Sequence, residues 1–378
     1  MFNVLSMWRW LLIVGMLAGC STPRVHMPAP EVVASPAPMP EVASAAAPPP
    51  AMPNSRWVPA TWAELPGWGT DALGEAWPAL LRNCQRPKTD WVRLCAELRQ
   101  LETADPVHKE QFLTRRFAPY RVESTDGRAQ GLLTAYFEPV LAASRVRKPG
   151  FEVPLYAPPP EVARARDGAP WFTRRDIETL PAAQAALRGR EIAFLRDPVD
   201  AMVLHIQGSG RLMVQEPDGQ TRTVRLSFAT TNQHPYQSIG RWLLDRRLTQ
   251  DTSWPGIKAW LAANPHRRNE LLWANPRYVF FREVALNDPQ QGPTGAQGVP
   301  LTAGRSIAVD PQSMPYGTPV WLVSDGATAL RRLVVAQDTG SAIVGAVRAD
   351  YFAGSGDAAG DWAGRVRQSL RLWVLWPR

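Results

Sequence analysis

The sequence predicts a mainly β protein with flanking helices, and three observations carry that reading. Residues 57–117 space their apolar side chains as helices do. From Gly131 onward, short apolar runs closed by Gly or Pro recur. The C-terminal third repeats such runs at regular intervals, the pattern of a small barrel.

Ahead of the folded part lies a stretch that belongs to no domain. Residues 1–20 carry one arginine, Arg9, then an apolar run from Trp10 to Leu17 that is short for a membrane span and has the layout of a secretory signal. Leu17-Ala18-Gly19-Cys20 resembles a bacterial lipobox, which implies lipid on Cys20 in an exported protein. Ser21 resembles the pattern that sorts such proteins to the outer membrane. The expected location is therefore the periplasmic face of the outer membrane, held by a lipid anchor. The rival is an ordinary signal peptide with a chance cysteine. Residues 21–55 are Pro- and Ala-rich with almost no charge, so they bury no core and favour polyproline II. At about 3.1 Å per residue such a tether reaches on the order of 100 Å.

The chain has 3 cysteines. With Cys20 lipidated, Cys84 and Cys95 remain, and both a disulfide and a pair of buried thiols stay open. His26, His108, His205, His234 and His266 are scattered without metal-ligand spacing, so no metal and no cofactor are expected. The formal charge of +8 resides almost wholly in the folded part. No basic cluster interleaves with aromatics as a nucleic-acid site requires. Attraction to an acidic polymer fits better, and the cell wall, whose stem peptides carry carboxylates, is one. The 16 tryptophans supply core and, for several of them, faces on which sugar rings stack.

In chain order, Thr89 is placed to cap a helix in which Trp91, Leu94, Cys95, Leu98 and Leu101 share one face. Gly131–Pro139 alternates as a strand and is closed by proline. Further strands are expected at Phe151–Tyr156, Ile192–Phe194, Met202–Gln207, Arg211–Gln215 and Arg222–Leu226, with a hairpin at Asp218-Gly219 and a helix over Thr173–Leu180. Helices follow at Tyr236–Arg247, Ser253–Asn264 and Arg268–Trp273, and an aromatic strand at Asn275–Arg282. Residues 283–298 read as loop. The barrel strands are Arg305–Val309, Val320–Val323, Arg332–Ala336 and Arg371–Leu375. Among them stand Asp310 (AVDPQSMPYGTPV), Asp338 (VVAQDTGSAIVGAV) and Asp350 (RADYFAGSG), each expected where a strand gives way to a turn. The Gln207-Gly-Ser-Gly210 turn lacks the third glycine and the following helix of a dinucleotide loop, so it reads as a turn shaping a groove.

Five stretches in order, LLTAYFEPVLAAS (132–144), MVLHIQGSGRL (202–212), TNQHPYQSIGRWLLDR (231–246), NPRYVFFR (275–282) and the three-aspartate block, resemble the membrane-bound lytic murein transglycosylase A family. The resemblance implies a double-psi β-barrel domain with a second β-barrel domain inserted into it and a substrate groove between them. Residues 56–139 and 241–378 would form the first, with the three-aspartate block at 300–376, and residues 140–240 the insert. It further implies cleavage of the β-1,4 bond between N-acetylmuramic acid and N-acetylglucosamine, with the muramic acid's own C6 hydroxyl attacking C1 to leave a 1,6-anhydro end. Because the nucleophile is already attached, one carboxyl group can serve as acid and then base. By motif matching that group is Asp350. Asp338 and Asp310 are supporting acids, and Thr134, Tyr136, Gln207 and Ser209 are candidates for substrate contact. Glycan strands of peptidoglycan are the expected partner. Protein partners in wall synthesis or division are not legible. Ala135 departs from the glycine common in similar sequences, which would matter if the backbone there had positive φ.

Three rival readings stand beside this one. A non-catalytic wall-binding lipoprotein would use the same groove. A hydrolase would need a second carboxylate, for which Glu138 and Asp338 are available. Asp338-Thr339-Gly340-Ser341 also matches the local pattern of an aspartic protease, which requires a second aspartate sharing a proton.

Overall fold

The computed structural model describes residues 49–87, 91–164 and 169–378. The signal stretch, Cys20, most of the tether and Thr89 lie outside the described residues. The fold begins slightly before residue 56, where the tether was expected to end. Ser55 Oγ donates to the Ser313 carbonyl at 2.7 Å and Asn54 Nδ2 to Asp310 at 3.2 Å. These bonds lead into β1 (Arg56–Pro59).

Three helices follow, α1 (Leu73–Asn83), α2 (Val92–Gln100) and α3 (Pro106–Arg116). The expected face of α2 is buried at Leu94, Cys95 and Leu98, against Trp77 of α1 and Phe112 of α3. Trp77 satisfies its indole N–H on the Leu98 carbonyl at 3.0 Å. Asp105 caps α3 and Pro106 occupies its first turn, where a missing N–H costs nothing. Cys84 and Cys95 form a disulfide with Cα atoms 5.5 Å apart, tying the end of α1 to α2.

Next come β2 (Phe117–Glu123) and β3 (Gly131–Glu138), after which the chain leaves for a second sheet at Pro139. That sheet contains β4 (Val140–Ser144), β5 (Val153–Tyr156), β6 (Glu191–Leu195), β7 (Ser209–Gln215), β8 (Thr221–Thr231) and β9 (Val279–Val284), in the spatial order β5-β6-β4-β7-β8-β9. Between these strands run α4 (Pro160–Arg164), α5 (Arg174–Thr179), α6 (Pro181–Leu187), α7 (Pro198–Gln207), α8 (Ile239–Asp245), α9 (Trp254–Ala263) and α10 (Arg268–Trp273). Because β9 pairs with β8, the sheet extends past residue 240, where the insert was expected to end. The rings of Tyr156 on β5 and Tyr278 just before β9 lie 6.5 Å apart, so the curled sheet meets at its edges through side chains.

One expectation fails here. Met202–Gln207 is the last part of α7, not a strand. Asp197 accepts the Val199 N–H at 2.8 Å, Pro198 opens the first turn, and Gly208 ends the helix in the left-handed conformation at φ 76°. The run shows no polar face because both sides are covered. Ala201 and Leu204 pack on the sheet, while Val199 and Met202 pack on α8, α9 and α10. Periodicity cannot separate a fully buried helix from a buried strand.

The chain then returns through β10 (Ser306–Val309), β11 (Pro319–Asp325), β12 (Leu330–Asp338), β13 (Arg348–Ser355), α11 (Asp357–Ala363) and β14 (Arg367–Pro377). The ladders β14-β11-β12-β10-β13-β3 close on themselves through β3–β14, giving a six-stranded barrel, and β2 and β1 extend from β14. The barrel core is aliphatic, including Leu133, Ile307, Val320, Leu322, Val334 and Leu372. Strand β13 was not expected, and it moves Asp350 from a strand end to the third residue of a strand. Its Arg348-Ala349-Asp350 start hides it, since two charged residues alternate with a buried alanine. Gly131 permits the crossing of β3 and β13, for a Cβ there would sit 1.8 Å from the Val347 carbonyl oxygen.

Candidate active site

Asp350 owes its neighbours to strand register. Strands β13 and β3 run parallel with Asp350 opposite Thr134, and β10 runs antiparallel with Ala308 opposite Asp350. The Thr134 hydroxyl bonds to Asp350 Oδ1, and Arg348 Nη2 donates to Thr134 Oγ1 at 2.8 Å. Arg348 lies two residues before Asp350 on the same strand, hence on the same face. That spacing is a sequence signal for Arg348, and the motif reading passed over it. Burial pushes the Asp350 carboxyl above the usual carboxylate range, and the negative charge of Asp338 adds to the rise. The Thr134 bond and the Arg348 guanidinium oppose it without reversing it.

Asp338, at the end of β12, faces the same cavity. It accepts the Tyr136 hydroxyl at 2.8 Å and the Ala296 N–H at 2.9 Å. Burial raises its carboxyl also, against the bonds from Tyr136, Thr339 and Ala296. Burial and the Asp338 charge together hold the Tyr136 phenol well above its ordinary value, so it remains a neutral donor. Asp310 lies elsewhere. It is buried and accepts from the N–H groups of Gly345 and Gln312, each at 2.9 Å, from Ser313 and from Asn54. Burial pushes its carboxyl up, but those four donors outweigh burial and hold it low. Asp310 staples turns; it does not line the groove.

Two cavities, of about 800 and about 920 Å³, share Asp350, Asp338, Tyr136, Gln207 and Tyr236 on their walls. They are therefore one groove that continues on either side of Asp350. Gln207 spends its side-chain oxygen on the Phe137 N–H at 3.0 Å, which leaves its NH₂ group for the groove. Ser209 lines the first cavity and Thr134 the second. His205 is the groove's only histidine among the described residues. Arg174 donates to its Nδ1 at 2.7 Å, and burial together with the Arg174 charge keeps the ring neutral. It is no proton donor. Tyr236, Phe228, Arg277 and Arg282 also reach the groove; only the tertiary fold brings them there.

The rival carboxylate assignments lose ground. Glu138 is fully buried, bonded to Arg211, Arg225 and Ser355, and lines neither cavity. Asp338 has a tyrosine, not an aspartate, as its side-chain partner, which does not suit an aspartic protease dyad. Ala135 pairs within β3 and is not among the non-glycine residues with positive φ, so its methyl strains nothing.

Residues 132–282 match the MltA specific insert domain and residues 305–376 the 3D domain. The chain is 31% identical over 288 residues to membrane-bound lytic murein transglycosylase A of Vibrio cholerae, covering 73% of this chain and 72% of that protein. Among solved structures it is similar to the lytic transglycosylase LtgG of Burkholderia pseudomallei, with 43% identity, a TM-score of 0.60 and coverage of 88% of this chain and 99% of that one. It is similar also to MltA from Neisseria gonorrhoeae, with 32% identity, a TM-score of 0.70 and coverage of 88% and 97%.

Proposed function

The chain belongs to the membrane-bound lytic murein transglycosylase A family, and from that premise we propose that its groove cleaves peptidoglycan glycan strands with Asp350 as the single acid and base. The enzyme is a peptidoglycan lytic transglycosylase. The observation that carries the residue assignment is the position of a carboxyl group, raised by burial, at the joint of a groove open on both sides of it.

A protonated Asp350 donates its proton to the glycosidic oxygen as the bond from C1 of N-acetylmuramic acid breaks. The C6 hydroxyl of the same sugar then attacks C1, and its proton passes to the Asp350 carboxylate. The products are a 1,6-anhydro end and a free N-acetylglucosamine hydroxyl, and the carboxyl group is regenerated. Arg348 and Thr134 orient the carboxyl group; Asp338, orienting and oriented by Tyr136, supplies negative charge beside the oxocarbenium-like carbon. Gln207 and Ser209 offer donors to the sugars. Membrane attachment is proposed through lipid on Cys20, at the periplasmic face of the outer membrane.

The test is mass spectrometry of soluble products from murein sacculi treated with protein lacking residues 1–20, beside Asp350→Asn. Muropeptides one water lighter than hydrolysis products are expected, and the variant should lose on the order of 10²- to 10⁴-fold in rate. Hydrated reducing ends would instead require a hydrolase. Sacculus binding with no product would leave a binding module.

A further inference from the structure

The first cavity is lined by Arg86, Arg277, Arg282 and Arg348, whereas its acidic residues are Asp338 and Asp350 alone. Arg348 is engaged with Thr134 and stands beside Asp350. The other three guanidinium groups have no carboxylate partner among the described residues. Arg282 gives one N–H to the Phe228 carbonyl at 2.7 Å, and that phenylalanine is 44% exposed on the same wall. Arg277 is half-buried just before β9, and burial lowers its pKa with no neighbouring acid to offset it. The fully buried arginines among the described residues are matched: Arg305 by Asp71 and Glu75, Arg225 by Glu138 and Arg174 by Glu178. Arg277 is thus a partly buried cation without a counter-ion on the wall of a groove, set up to receive an anion, and the exposed Arg86 and Arg282 stand on the same wall.

We propose that Arg277 and Arg282, with Arg86, form a carboxylate subsite that engages the stem peptides of the glycan strand, so that the enzyme favours peptide-bearing over bare glycan. This rests on the reading of the cavity as a glycan groove. In a peptide-bearing strand the lactyl carboxyl is taken up in the amide to the stem peptide, so the glycan itself is neutral and its anions come from the peptides. A guanidinium fork takes a carboxylate through two parallel N–H bonds, which fixes orientation as well as charge.

The experiment measures kcat/KM for release of anhydro products from peptide-bearing strands, from the same strands with their stem-peptide carboxylates amidated, and from strands stripped of peptide whose exposed lactyl carboxylates are likewise amidated. A charge-assisted bond makes roughly a tenfold difference, so the wild-type protein should favour the peptide-bearing strands by about that factor. Amidation should erase the preference, mainly through KM. In Arg277→Gln/Arg282→Gln the ratio of peptide-bearing to stripped strands should fall to near one. Equal turnover of all three substrates by the wild-type protein would overturn the proposal, and that arm needs no variant to fold. Absence of anhydro products from every substrate would bring down the glycan reading itself.

Discussion

Replacing Glu138 with Gln isolates the contact that joins the two sheets. Glu138 ends β3 of the barrel, is 0% exposed, and accepts Arg211 Nε at 2.7 Å from β7, Arg225 Nε at 2.6 Å from β8 and Ser355 Oγ at 2.7 Å from β13. The same two arginines donate to the carbonyls of Pro289 and Gln291 on the returning chain. Glutamine keeps one acceptor oxygen but turns an NH₂ group toward a guanidinium and leaves two buried cations without a counter-charge. Breaking a buried pair in this way costs about 3–5 kcal/mol. At roughly 1.5 °C per kcal/mol for a chain of this length, the melting midpoint should fall by about 5–8 °C. Scanning calorimetry measures it, with sacculus digestion run well below both midpoints as the companion assay. Activity there should be largely retained, because Glu138 lines neither cavity. An unchanged midpoint would refute the structural role. An unchanged midpoint together with lost activity would make Glu138 the second carboxylate of a hydrolase.

Thr134→Val removes the hydroxyl between Arg348 and Asp350. Because that bond lowers the Asp350 pKa against the upward push of burial, its loss should shift the alkaline limb of the rate profile to higher pH. The maximal rate should drop by about tenfold as orientation is lost, a modest share of the 10²–10⁴ that an acid–base group contributes. A profile that keeps its limb would sever Thr134 from the carboxyl group. Asp310→Ala leaves the part-buried N–H groups of Gly345 and Gln312 without their acceptor, at a cost on the order of 1–2 kcal/mol. The Asp310 pKa is lowered on folding, so its contribution is complete above the unfolded carboxylate range and fades as pH falls through the folded value. The gap in melting midpoint between wild type and variant should therefore narrow in acid; a pH-independent gap would deny the linkage.

The amino-acid sequence alone determined the features that depend on a few neighbouring residues. Helical spacing put Leu94, Cys95 and Leu98 on one buried face, apolar runs before Gly and Pro marked most barrel strands, and the ordered motifs marked the family. What it left open or misread is of another kind. The disulfide between Cys84 and Cys95 needed the α1–α2 packing to choose it over free thiols. The run ending at Gln207 read as strand because both faces of α7 are covered. Glu138 looked available for catalysis until its two arginines, 73 and 87 residues away, were in place. Asp350 meets Thr134 across 216 residues of chain, through a parallel ladder whose register depends on Gly131 lying against Val347. Turn chemistry and periodicity act over one or two turns of backbone. The groove arises from hydrogen-bond register between distant strands and from burial that shifts a carboxyl group, and both exist only once the chain has folded.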